Sequence, residues 1–268
     1  MQGLVEKNYV KYIKFSIFDQ NVTAIYTTRF GGVSRGRYAS MNLSFSNGDS
    51  SKNVLQNYKN ICECEGINHH HLVFSQQEHT DNIRVISKED IGKGITKRRD
   101  YHAVDALISN IPDCGLVTQY ADCIPLLFYD KVHKVIAAAH GGWRGTVAEI
   151  ARKTVEKMTE RFGCNPADIV AAIGPGICQD CYEVDEAVSM PLRRLNGLDF
   201  SECLTELDEG KFLLDLKEVN RQIMVNAGIK PENIEVSPLC TCCNSHIFHS
   251  HRATGGHRGN NAAIIYLR

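Results

Sequence analysis

Three short segments carry the side chains best suited to chemistry. Residues 135–146 read VIAAAHGGWRGT: an apolar run ends at His140, a glycine-rich turn follows, and a helical period begins. That arrangement puts an imidazole at the carboxyl end of a buried strand, where α/β sheets commonly hold ligands. The turn also frees backbone N–H groups at a helix start, and with Arg144 beside them they would make an anion site. Taken alone, a Gly-Gly-x-Arg-Gly turn is equally a plain strand-to-helix connection. Ala121-Asp122-Cys123 lies between two apolar runs, so a short polar turn there brings Cys123 near His140 if the strands pair. Positive charge or a metal beside the thiol would make it a thiolate. Gln76-Gln77-Glu78-His79-Thr80 follows the apolar Leu72-Val73-Phe74 and supplies a second imidazole. Two histidines and one cysteine make an N/N/S set, that of a catalytic zinc site with its fourth position open to water. Spacing does not prove that they meet, because the three lie far apart along the chain.

A second group is built from sulfur. Cys178-x-x-Cys181 and Cys240-x-Cys242-Cys243 resemble two halves of a four-cysteine structural zinc site, with His246, His249 and His251 close by. The segment between the halves is far longer than in a usual zinc ribbon, and buried packing thiols are the alternative. His249 and His251 alternate along an apparent strand and so share one face.

These groups need rigid elements to hold them. Residues 115–120 (GLVTQY), 124–129 (IPLLFY) and 132–139 (VHKVIAAA) are apolar runs rich in branched residues and read as consecutive buried strands. From 146 to 162 the period changes, placing Val147, Ile150, Ala151, Val155, Met158 and Phe162 on one helical face, with Gly163 as a stop. Residues 168–173 return to strand character. Asp215 opens a second helix with Leu216, Val219, Ile223 and Met224 inward and Gly228 closing it. Residues 262–267 (AAIIYL) form a last core strand, and residues 87–101 read as an exposed excursion between strands. Strands alternating with helices, plus adjacent strand pairs, predict a mixed-sheet α/β or α+β fold. With no repeat, low-complexity tract or linker, residues 1–268 are expected to form a single domain.

Composition sets the outer bounds. The chain has 268 residues, 43% hydrophobic and 23% charged, enough to bury a substantial core. A formal net charge of -1 gives no overall basic field for nucleic acid or an anionic membrane, while leaving room for a small anion held by local arginines. The opening MQGLVEKNYVKYIKF has no long hydrophobic run, so neither a signal peptide nor a membrane span is expected, and the default address is the cytoplasm. Eleven cysteines in such a chain are expected to stay reduced rather than form a disulfide framework.

The motifs have a precedent. Thr28-Arg29-Phe30-Gly31-Gly32-Val33-Ser34 followed by Met41-Asn42-Leu43-Ser44 resembles the N-terminal motif of the YfiH/YlmD-like family. These proteins were once described as multicopper polyphenol oxidases (laccase-like) and are now described as purine nucleoside phosphorylases. The resemblance continues through Gln77-Glu78-His79, Asp105-Ala106-Leu107, Ala121-Asp122-Cys123-Ile124-Pro125 and His140-Gly141-Gly142-Trp143-Arg144-Gly145. It resumes at Ile173-Gly174-Pro175-Gly176, Cys181-Tyr182-Glu183-Val184, Leu214-Asp215-Leu216, Cys240-Thr241 and Arg258-Gly259, so it covers nearly the whole chain in order. The chain departs from the family pattern at Glu78 and Thr80 around the first histidine, at Asn57-Tyr58, and at Ala253, where a second arginine is usual after Phe248, Ser250 and Arg252.

The resemblance implies a single-domain α-β-β-α layered fold and a zinc ion held by His79, Cys123 and His140. It implies phosphorolysis of adenosine, inosine, guanosine and methylthioadenosine, and hydrolytic deamination of adenosine, with a purine nucleoside and phosphate as small-molecule partners; a monomer is the expected state. Arg29, Asn42, Arg144 and Arg258 are the expected substrate-binding residues, the arginines for phosphate. Zinc would supply hydroxide at neutral pH for attack on the purine, with Asp122 or Glu78 carrying protons. Two rivals stand beside this reading. Two histidines and a cysteine are also the strong ligands of blue copper, which would make an oxidase. Cys123 with a histidine base would make a cysteine hydrolase acting on peptidoglycan precursors, a role linked to the family.

Overall fold

The computed structural model describes residues 3–268. Fifteen strands and six α-helices are arranged around two face-to-face sheets of six strands each. The first sheet runs Leu4–Lys7, Val10–Lys14, Val22–Thr27, Asn261–Leu267, Cys114–Tyr120, Leu72–Phe74. The second runs Ile234–Val236, Ile169–Ile173, Ile124–Asp130, Val135–Gly141, Ala106–Ser109, Ile83–Val85. Both are mixed, with parallel pairs at their edges.

The layering follows from the two-residue alternation of the strands. In Asn261–Leu267, Ala263, Ile265 and Leu267 enter the layer between the sheets, while Ala262, Ile264 and Tyr266 face the helix Ser51–Glu65. In the second sheet Leu127, Tyr129, Ile136 and Ala138 fill the same central layer, and Leu126, Phe128, Val135 and Ala137 face the helices Ile150–Phe162 and Leu216–Asn226. The result is the expected α-β-β-α sandwich. Each large aliphatic side chain fully buried in these layers is worth roughly 1.5–3 kcal/mol relative to exposure.

Most expected elements are present with shifted ends. The strand expected at 132–139 begins at Val135, because residues 131–134 make the turn and Val132 is exposed. The helix expected from 146 to 162 is two helices, Trp143–Val147 and Ile150–Phe162, separated at Glu149, whose φ of 55° is left-handed. A third sheet of three short strands, Glu183–Asp185, Lys211–Leu214 and Leu204–Glu206, has no counterpart in the sequence reading. His249 and His251 do not share a strand face. Ser250 accepts a hydrogen bond from the Ala253 N–H and caps the short helix His251–Thr254, leaving His249 buried and His251 exposed.

Residues 87–101 are less exposed than their composition suggests. Asp90 is 1% exposed and its carboxylate takes Arg84 Nη2 at 2.7 Å, Lys93 Nζ at 2.8 Å and the Ser87 N–H at 3.0 Å. Burial alone would raise this carboxyl, but Arg84, Lys93 and the Ser87 N–H hold it well below the usual carboxylate range. A depressed folded-state value stabilises the fold above the unfolded carboxyl's pKa of about 3.9, and that stability is lost as pH falls further. Asp90→Asn should therefore cost about 3 kcal/mol in urea unfolding at neutral pH, the size expected for breaking a buried pair. The gap to the parent should narrow in acid. An equal gap at both pH values would show that the ion network contributes nothing.

Candidate metal centre

The Ile124–Asp130 and Val135–Gly141 strands pair antiparallel, with Pro125 opposite His140 and Ile124 opposite Gly141. His140 points to the same side as Ile136 and Ala138, so its ring lies at the mouth of the layer between the sheets, 3% exposed. Cys123 immediately precedes Ile124, on a turn where Asp122 has a φ of 90°. That turn is held from outside. The Ile177 N–H reaches the Asp122 carbonyl at 2.9 Å, and the Asp122 carboxylate accepts the Thr241 hydroxyl and the Arg252 N–H, each at 2.7 Å.

His79 arrives on the loop after Leu72–Phe74, with a left-handed φ of 61°. Its Nε2 lies 3.9 Å from Cys123 Sγ, and its ring centroid is 4.8 Å from that of His140 at 74°. One ligand atom from each of His79, Cys123 and His140 falls within 4.8 Å of the others. The three residues singled out in the sequence do meet.

Asp105, just ahead of the Ala106–Ser109 strand, joins them. Its Oδ1 faces His140 Nδ1 at 2.8 Å and accepts the His79 N–H at 3.1 Å. Its Oδ2 accepts the N–H groups of Glu78 at 3.0 Å and Thr80 at 2.9 Å, and the Thr80 hydroxyl at 2.9 Å. Burial opposes charge on this carboxylate, but the His140 hydrogen bond and the loop N–H groups outweigh it and hold it down at about 2. With Nδ1 engaged, Nε2 is the nitrogen His140 has left for a ligand, which is the usual orienting device of metal-binding histidines. Asp105 was quoted in the sequence only as part of a motif; a carboxylate 35 residues from its histidine gives no local sign of this role.

Burial also opposes charge on Cys123, yet the neighbouring His140 charge and hydrogen bonds with His140 and His79 bring its thiol down to about 6. Reciprocally, burial would lower His140, but Cys123 and Asp105 push it up to about 9. The pair favours a thiolate, the form that binds metal. Gly142 completes the cradle. A Cβ there would lie 2.9 Å from His79 Cδ2, 3.3 Å from His140 Cε1 and 3.5 Å from Cys123 Sγ. The donor set and its spacing fit a zinc-type ion.

A cavity of about 330 Å³ opens on this group and is lined by His79, Cys123, His140, Glu78, Gln77, Arg99, Gln119, Tyr120, Arg258 and Asn260 among others. Arg258 is the one expected substrate-binding residue on its wall. Arg29 spans two loops, donating from Nε to the Ala39 carbonyl and from Nη1 to the Ser245 carbonyl, both at 3.0 Å. Asn42 is fully buried, donating to Asp49 and accepting from Ser44, Asn47 and Asn260. Arg144 is exposed, with its guanidinium 4.2 Å from the Trp143 ring, and is not on the wall. Arg99, Gln77, Gln119 and Asn260 were not anticipated as lining residues, since nothing in their local spacing marks them.

Comparison with known proteins identifies the family. The family model described as "Multi-copper polyphenol oxidoreductase laccase" matches residues 23–268. The chain belongs to this laccase-like family. One of the family's curated relatives, "Purine nucleoside phosphorylase YlmD" of Bacillus subtilis, is 35% identical over 93% of this chain and 90% of its own length. "Adenosine deaminase RL5", from an unknown prokaryotic organism, is 32% identical over 93% of this chain and 95% of its own. The crystal structure of the Bacillus licheniformis hypothetical protein YfiH superposes with a TM-score of 0.93 at 36% identity, covering 100% of both chains.

Two substitutions test the cradle. Asp105→Asn should weaken metal binding by about 10–100-fold in a competitive chelator titration, the usual cost of losing a carboxylate behind a ligating histidine. Gly142→Ala should lose the metal while keeping the parent circular dichroism, because the added methyl must displace the His79 ring. Parent affinity in Asp105→Asn together with parent metal content in Gly142→Ala would refute the three-ligand arrangement.

Proposed function

We propose that the protein is a zinc-dependent purine nucleoside phosphorylase that also deaminates adenosine. The observation that carries this reading is the meeting of His79, Cys123 and His140 at the wall of a cavity large enough for a small molecule. The names of relatives similar over nearly the whole chain supply the reaction classes. When bound, zinc supplies a Lewis acid and lowers the pKa of water toward about 7.

The chain's own residues do the rest. Asp105 fixes the tautomer and direction of His140. Arg258 borders the cavity with a buried Nε that has no protein partner, which makes it the first candidate to bind phosphate, with Arg99 on the same wall. Glu78, exposed at the cavity beside His79, is the better placed proton carrier, because both Asp122 carboxylate oxygens are already occupied. The same N/N/S set suits copper, and the family description names copper. The other two candidate ligand groups among the described residues hold one histidine between them, which is poor in the imidazoles a multicopper cluster needs.

Incubating the zinc-loaded protein with adenosine should give adenine and ribose 1-phosphate when phosphate is present, and inosine when it is absent. Cys123→Ala should abolish both products while leaving thermal unfolding cooperative. Arg258→Ala should raise the KM for phosphate by roughly tenfold or more, the loss of one charged hydrogen bond, and leave deamination nearly intact. Failure of zinc-loaded protein to turn over any purine nucleoside would reject the assignment.

A further inference from the structure

We propose that Cys178, Cys181, Cys240 and Cys243 bind a structural zinc ion, separate from the His79, Cys123 and His140 group. One sulfur from each lies within 4.8 Å of the other three. Cys243 Sγ is 3.8 Å from Cys178 Sγ and 3.4 Å from Cys181 Sγ. A tetrahedral ion with Zn–S bonds of about 2.3 Å separates its sulfurs by about 3.8 Å, and the two separations from Cys243 already lie close to that edge. The spacing is Cys-x-x-Cys on both arms. Cys242, grouped with them by the sequence, is not part of the cluster.

The backbone around Cys240 favours a thiolate there. Cys240 Sγ receives the N–H of Cys178 at 3.2 Å and the N–H of Cys243 at 3.4 Å, bonds that a charged sulfur accepts best. Four thiolates around a divalent ion leave two negative charges, and Lys217 supplies a buried cation beside them. Its Nζ donates to the Ser237 carbonyl at 3.0 Å and the Leu239 carbonyl at 3.2 Å, on the strand of chain leading into Cys240. The exposure of Cys243 gives an ion a route in from solvent.

The site also has a mechanical role. Between its ligands, Thr241 donates from its hydroxyl to Asp122 and from its N–H to the Gly176 carbonyl at 3.1 Å. Arg252, whose N–H also reaches Asp122, donates from Nη1 to the Cys181 carbonyl at 2.9 Å. Closing the four sulfurs on one ion therefore braces, from behind, the turn that presents Cys123.

The test uses the full chain purified under reductant without added metal, with zinc measured by mass spectrometry of the intact protein and by elemental analysis. Cys123→Ala, which dismantles the other centre, should retain one zinc per chain, whatever becomes of the nucleoside activity. Adding Cys178→Ser and Cys243→Ser to that background should remove it. Cobalt loaded into Cys123→Ala should give the intense charge-transfer and d–d absorption of a tetrahedral tetrathiolate, absent once the two serines are introduced. If the serine variant does not fold, Cys243→His serves instead, and should keep one equivalent of metal with a shifted cobalt spectrum. Metal-free Cys123→Ala protein whose thiols all react freely, or a Cys178–Cys243 cross-link in its place, would overturn the proposal.

Discussion

A single buried carboxylate organises the centre. Asp105 binds the side chain of one histidine and the backbone that carries the other, so two candidate ligands from separate parts of the chain are set by one group. An isolated carboxylate in that position would be costly to bury. Five donors remove the cost and make the loop at residues 78–80 conform to it, including the left-handed backbone of His79. The strained residue and the orienting carboxylate are two sides of one arrangement: the loop N–H groups converge on Asp105 only if the chain turns sharply there.

The sheets explain why the centre lies where it does. Alternation sends His140 and Tyr120 to the same interior layer from different sheets, and the rings lie 5.6 Å apart. The Tyr120 hydroxyl reaches across to the Ala139 carbonyl at 3.0 Å, tying the sheets together one residue below the ligand. The site is thus the open end of the central apolar layer, dry on one side and in contact with a cavity on the other. That setting strengthens charge interactions relative to water and suits a thiolate held between two imidazoles.

Much of this was legible in the residues, and the failures have physical reasons. Strands such as Ile124–Asp130 and Asn261–Leu267 declare themselves through branched apolar runs, and Leu216–Asn226 through its period and its Asp215 cap. The side chains at 79, 123 and 140 that could hold a metal were readable; their meeting was not, because it depends on how two sheets stack. Alternation misled at His249 and His251, where a serine cap outweighs it. Charge misled at residues 87–101, since a lysine- and aspartate-rich stretch can fold around its own buried carboxylate. The three-stranded sheet was missed because its strands have three or four residues each, too few to establish a period.

The left-handed Glu149 has an electrical consequence. Had residues 146–162 begun one unbroken helix at the glycine turn, several turns of aligned peptide dipoles would have aimed a positive potential at the centre. The interruption leaves five residues, Trp143–Val147, behind that turn, and the longer column of dipoles starts at Ile150 on a separate axis segment. Little of the attraction for an anion can then come from backbone alignment. It falls to discrete cations on the cavity wall, so any hold on a negatively charged molecule there is a matter of a few side chains rather than of the scaffold.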